Sequence, residues 1–132
     1  MIFITRREVF SAAHKLENCN LNEEKNLELY DKCYSIHGHN YILEVTLAGE
    51  INPDTGYLFD LKKLKQIIHQ YIISRIDHKF INTDVEFMQN IIPTTENLTI
   101  AIFNELKKTE IKDMLYSVKL YETENNYFEY KG

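Results

Sequence analysis

Apolar and polar positions alternate most clearly over residues 40–50, where Tyr41, Leu43, Val45 and Leu47 are interleaved with Ile42, Glu44 and Thr46. A period of two predicts a half-buried strand, closed by Gly49 and the turn-forming residues 51–56. Residues 2–10 carry a weaker version of the same pattern. Residues 116–123 alternate again, with Val118, Leu120 and Glu122 on one face. Glu124, Asn125 and Asn126 offer turn chemistry before residues 127–130, so this stretch predicts a hairpin.

Between the two strand pairs the period changes to 3.6. Asp60 is the predicted N-cap of a helix with Leu61, Leu64, Ile67, Ile68, Tyr71 and Ile72 on its inner face. Pro93 bars a helix upstream of a second one, capped by Thr94 or Thr95, whose stripe is Leu98, Ala101, Ile102 and Leu106. Strand, strand, helix, helix, strand, strand predicts one α+β domain over residues 1–132: a four-stranded antiparallel sheet with two helices packed on one face. Such a sheet has two open edges, which proteins cover or pair. Pairing them between copies predicts a homo-oligomer. The polar residues 17–32 read as a long surface loop.

Composition narrows the partners. Hydrophobic residues make up 44% of the chain, with only 4 Gly and 2 Pro, which excludes disorder as the main reading. Fifteen basic against twenty acidic residues give a net charge of −5, so neither nucleic acid nor a membrane surface is an expected partner. No run approaches the roughly 18 apolar residues that span a bilayer, and the start, MIFITRREVF, has no apolar signal segment. A cytoplasmic protein with Cys19 and Cys33 as free thiols is the expectation.

The candidate chemistry centres on Cys33-Tyr-Ser-Ile-His37-Gly-His39. His37 and His39 share the parity of Tyr41 and Leu43, so both point to the core side, with Cα atoms roughly 7 Å apart in an extended chain. Two imidazoles so placed can converge on one metal ion, and Gly38 lets other groups approach closely. His14, at the end of the first strand, lies beside them if the first two strands form a hairpin. The competing reading is three hydrogen-bonded polar residues around the loop. Cys33 is either a thiol activated beside a dication or a small buried hydrophobe. Asp77-His78 is either a proton-relay pair or a histidine favoured at a helix C-terminus. Glu122, on the inner face, needs a partner: the N–H pair of a heterocycle or an arginine. His69 reads as surface or packing.

Taken together, Phe10-Ser-Ala-Ala-His14, Cys33 to Tyr41, Ile76-Asp77-His78, Pro93-Thr-Thr-Glu-Asn-Leu98 and Glu122-Thr123 with Tyr130 resemble the 6-pyruvoyltetrahydropterin synthase family over nearly the whole chain. The three-residue gap between Cys33 and His37 is similar to its 6-carboxytetrahydropterin synthase branch. The resemblance implies a tunnelling fold closing into a barrel, as a trimer or a dimer of trimers. It implies Zn2+ on His14, His37 and His39, Cys33 as catalytic base, Asp77 with His78 as a second proton-transfer unit, and Glu122, Thr95 and Glu96 around the pterin. The implied reaction turns 7,8-dihydroneopterin triphosphate into 6-carboxy-5,6,7,8-tetrahydropterin, acetaldehyde and triphosphate, supplying 7-deazaguanine (queuosine) synthesis. Triphosphate elimination to a pyruvoyl product is the alternative within the family. A noncatalytic zinc- or pterin-binding module, or a purely structural assembly protein, is the alternative outside it. Lys15 and Lys79 are the candidates for holding the triphosphate.

Overall fold

The computed structural model describes all residues, 1–132. Strand β1 (Ile2–His14) and strand β2 (His37–Gly49) pair antiparallel along their whole length, from Ile2 opposite Gly49 to His14 opposite His37. Both outrun the alternating segments expected from sequence. β4 (Leu115–Thr123) lies on the other side of β2, and β5 (Asn126–Tyr130) folds back on β4 as the expected hairpin.

The sheet has five strands, not four, and it is mixed. Strand β3 (Lys79–Phe80) runs parallel to β1 beside Ala12 and Ala13, giving the order β3-β1-β2-β4-β5. Two residues are too few to show a period, so the pattern could not announce it. The 17–32 loop is also not featureless. Asn22 caps helix α1 (Glu23–Tyr30) by accepting from the Lys25 amide, at 2.8 Å. In place of an apolar stripe, the buried Asn26 carboxamide bonds Asn18, Leu21 and Asn22.

Helix α2 (Leu61–Ile68) begins at its Asp60 cap and continues through a π-helical turn (His69–Ile73) into α3 (Ser74–Ile76). The wider turn keeps both Ile72 and Ile73 buried. After the short α4 (Ile81–Asp84), helix α5 (Thr95–Leu106) starts at Thr94, whose side chain accepts from the Asn97 amide at 3.2 Å. Leu64, Ile68, Leu98 and Ile102 pack against Leu43, Val45, Leu47 and Leu120 on one face of the sheet, all fully buried. Each such side chain contributes about 1.5–3 kcal/mol.

The other face is mixed, with Val9, Ile42, Tyr121 and Tyr127 aligned in one row across the strands. Register aligns Arg7, Glu44, Lys119 and Glu129 in a row of alternating charge, with Arg7 Nη2 at 2.7 Å from Glu44. No helix is long and apolar enough to cross a membrane.

Candidate metal site

The long β1–β2 pairing delivers its terminal residues, His14 and His37, to the same end of the sheet, with His39 two residues further along β2. Their parity continues that of Phe10 and Tyr41, so the rings extend the core face rather than the opposite one. His14 and His37 ring centroids are 4.5 Å apart, and His39 stands 5.1 Å from each. Glu122, at the end of β4, completes the group: one ligand atom from each of the four residues lies within 4.8 Å of the others.

Backbone contacts orient the rings. His14 Nδ1 donates to the Pro93 carbonyl at 2.8 Å, and His37 Nδ1 donates to the Ser35 carbonyl at 2.7 Å. Each bond leaves the Nε2 lone pair facing the cluster, the arrangement that second-shell carbonyls give metal-ligating histidines. Burial holds His14 and His39 below the ordinary histidine pKa, and the neighbouring imidazoles push the same way. Against this, the Pro93 bond raises His14 and the Glu122 charge raises both, without reversing the shift. Both rings are therefore neutral bases.

Glu122 Oε1 approaches His39 Nε2 to 3.0 Å and His14 Nε2 to 3.7 Å, yet neither nitrogen completes a hydrogen bond. Buried polar atoms left this way cost about 1–3 kcal/mol each. A cation among three imidazole nitrogens and a carboxylate relieves that cost, and the donor set suits a borderline ion such as zinc. The four residues can hold a metal. Sequence reasoning placed Glu122 on the inner face, with the N–H pair of a heterocycle or an arginine as its partner; it did not anticipate the carboxylate among the histidines.

Cys33 lies outside the cluster, half-buried in a 3-10 turn (Asp31–Tyr34) whose Cys33 carbonyl accepts from the Leu16 amide at 2.8 Å. Cys19 is exposed and unpaired. Asp77 and His78 stand at the outer edge of β1. Asp77 Oδ1 accepts from the Ser11 amide and from His78 Nδ1, both at 3.0 Å, and the Ser11 bond leads the lowering of its pKa. His78 has φ 62°, a left-handed conformation uncommon for a non-glycine residue, and its side chain is 83% exposed. It borders an open cleft of about 420 Å³ shared with Lys79, Gly38 and His39. Gly38 is not demanded by crowding there, since a Cβ would sit 3.5 Å from the Ala12 carbonyl. Lys15 is drawn to Glu17 and to the Tyr34 ring. His69 is a partly exposed partner of Glu8, at 2.9 Å.

Behind the histidines, Tyr41 is fully buried, stacked on Phe10 with centroids 5.0 Å apart, its ring near-perpendicular to that of His39. Burial, then the Glu122 charge, raise its pKa, and the adjacent Thr95 hydroxyl partly offsets them. Thr95 is the buried first residue of α5, while Glu96 beside it is exposed.

The chain and its fold are similar to known proteins. A chain from Dictyostelium discoideum described as 6-pyruvoyl tetrahydrobiopterin synthase is 43% identical, covering 99% of this chain and 96% of that one. The solved structure of Caenorhabditis elegans 6-pyruvoyl tetrahydropterin synthase superposes with a TM-score of 0.95 at 38% identity, covering 99% and 95%. A putative 6-carboxy-5,6,7,8-tetrahydropterin synthase from Archaeoglobus fulgidus is more distant, at 30% identity over 91% of this chain and 87% of its own. A family model described as 6-pyruvoyl tetrahydropterin synthase matches residues 3–132, and with the fold and a relative this similar in agreement, the chain belongs to that family.

Proposed function

We propose that this protein is a zinc-dependent lyase that eliminates triphosphate from 7,8-dihydroneopterin triphosphate to form 6-pyruvoyl-tetrahydropterin. The observation that carries the reading is the convergence of His14, His37, His39 and Glu122 in a chain 43% identical to a relative named for the pyruvoyl product. The carboxy-forming reaction suggested by the short Cys33–His37 gap gives way, because the relative named for that product stands at 30%. The role in queuosine precursor supply goes with it.

His14, His37 and His39 would hold the ion, with Glu122 beside it left to face the substrate. Bound there, zinc supplies Lewis acidity that favours negative charge developing on the oxygens of the substrate side chain. Cys33 takes the proton from the side-chain carbon next to the ring, which the neighbouring ring C=N bond acidifies. The electron pair released moves into the ring, whose reduction matches the side chain's oxidation, so no external oxidant is needed. Loss of the proton on the middle side-chain carbon, now beside a carbonyl, then breaks the terminal C–O bond and expels triphosphate, and the enol left behind takes a proton on the terminal carbon to become the second carbonyl. His78, held by Asp77 through Nδ1, returns a proton by its other nitrogen. Glu122 and Thr95 take the polar edge of the pterin, with Glu96 at the rim, and Lys79 faces the triphosphate.

Asp77-His78 lies at the open edge of β1, outside the histidine cluster. This favours a site shared between copies, in a trimer or a dimer of trimers closed through the sheet edges. The test is to incubate zinc-loaded protein with 7,8-dihydroneopterin triphosphate, assay triphosphate and acetaldehyde, and weigh the pterin product. Triphosphate without acetaldehyde is the expected result. Acetaldehyde release identifies the carboxy-forming reaction instead. Binding without turnover identifies a noncatalytic module.

A further inference from the structure

Strand β3 stops after two residues, yet the chain beyond it still bonds to the end of β1. Lys79 pairs with Ala12 and Phe80 with Ala13, so two further steps of this register set Asn82 beside Lys15. By then the backbone has turned into α4 and its pairing with β1 has ended. The Asn82 side chain takes its place. Its Oδ1 accepts from the Lys15 amide at 2.9 Å, and its Nδ2 donates to the Lys15 carbonyl at 2.8 Å. A carboxamide carries the same donor and acceptor as a peptide unit, so one side chain occupies both backbone groups of Lys15.

Lys15 and Leu16 in turn hold the segment that carries Cys33. The Leu16 amide donates to the Cys33 carbonyl at 2.8 Å, and Lys15 Nζ lies 4.1 Å from the centre of the ring of Tyr34, the residue after the thiol. These contacts begin immediately after His14, whose own ring is fixed by strand pairing and by the Pro93 carbonyl. The carboxamide thus joins two parts of the site. On one side is the run of residues 77–82, tied to β1 from Ser11 onward and carrying Asp77 and His78. On the other is the 3-10 turn of Cys33. Asn82 has no part in the chemistry described above.

We propose that Asn82 is a positioning residue for the general base: by clamping the Lys15 backbone it fixes where Lys15 and Leu16 hold the Cys33 turn, and so the aim of the thiol relative to the histidine cluster. This rests on the reading of Cys33 as base and deepens it, by naming what sets the thiol's place. Misplacing a reacting group by about 1 Å costs on the order of 10²-fold in rate, so a slackened clamp is read in kcat.

The test uses zinc-loaded protein carrying Cys19→Ser, which leaves Cys33 as the one thiol. Asn82→Leu removes both bonds at similar volume, and Asn82→Asp keeps the acceptor while losing the donor. Turnover of 7,8-dihydroneopterin triphosphate, zinc content, melting temperature and the rate of Cys33 alkylation by iodoacetamide are measured for each. Asn82→Leu is expected to lower kcat about tenfold or more, with KM within about twofold and zinc content unchanged. Alkylation of the half-buried Cys33 should accelerate about threefold or more as its turn loosens, with Asn82→Asp between Asn82→Leu and wild type. An unchanged kcat or an unchanged alkylation rate overturns the proposal and leaves Asn82 to the stability of α4. Loss of zinc together with kcat also overturns it, by placing the effect on His14. Where Asn82→Leu does not fold, Asn82→Asp decides by the same readings. If Cys33→Ala turns the substrate over like wild type, the base reading itself fails and takes this proposal with it.

Discussion

At the scale of single residues, the two kinds of chemistry separate cleanly. On the proposed reading His14 and His37 offer Nε2 to the ion, because their Nδ1 atoms are spent on the carbonyls of Pro93 and Ser35. Cys33 sits on a different element and is not needed to hold the ion. Cys33→Ala is therefore expected to leave zinc content and melting temperature unchanged and to lower product formation by about 10²-fold or more, the usual loss for a general base. His39→Ala is expected to lose both metal and activity, read by metal analysis of the purified variant. The depressed pKa values of His14 and His39 carry a pH consequence in the metal-free protein. Unfolded histidines take up protons near the ordinary value of 6.5, while these two stay neutral until lower pH. Melting temperature should therefore fall as pH drops below 6.5, and added zinc should oppose the fall. A metal-free protein that melts identically at pH 7.5 and 5.5 would contradict the buried, neutral assignment.

At the scale of elements, caps and pairing set the geometry that the residues use. Thr94 fixes where α5 starts, and the preceding Pro93 presents the carbonyl that orients His14. Thr94→Ala should lower stability by about 0.5–2 kcal/mol, measured by denaturant unfolding, and weaken zinc binding as the Pro93 carbonyl loses its fixed position. Both helix starts were legible in the sequence because a capping side chain and an apolar stripe coincide at Asp60 and Thr94. β3 was not legible, since Lys79-Phe80 is too short to carry a period and pairs only because Asp77 and His78 are bonded to Ser11. α1 was hidden for another reason: its buried residue is Asn26, so its order comes from carboxamide bonds rather than an apolar face. The alternation of β1 fades at Ser11, Ala12 and Ala13, which are polar or too small to carry it, yet His14 was still placed at the end of that strand, where the structure has it. The turn of Glu122 toward the histidines depends on β2–β4 register, which no local pattern states.

At the scale of the whole molecule, the sheet remains unfinished. β3 covers β1 beside Ala12 and Ala13, and Asp77 and His78 occupy Ser11, leaving residues 2–10 of β1 an open edge, and β5 is open at the other side. Ser11 shows which backbone groups face outward, since its amide bonds Asp77 and its carbonyl accepts from His78, both beyond the edge. With a period of two, the amides of Val9, Arg7 and Thr5 face the same way and are available to a neighbouring strand. In the proposed assembly one edge pairs with the other, and because they belong to different strands such a contact is head-to-tail and closes as a ring. Such a ring also brings the Asp77-His78 edge of one copy toward another copy. Val9 is exposed, and proline there removes an outward amide without taking a bond from β2. Val9→Pro should keep the far-UV spectrum and zinc content of the wild type, sediment as a monomer, and lose turnover together with assembly. A wild-type protein that sediments as a monomer at micromolar concentration with full activity would show that each chain completes its own site. The exposed His78 would then have to reach the histidine cluster within the same subunit.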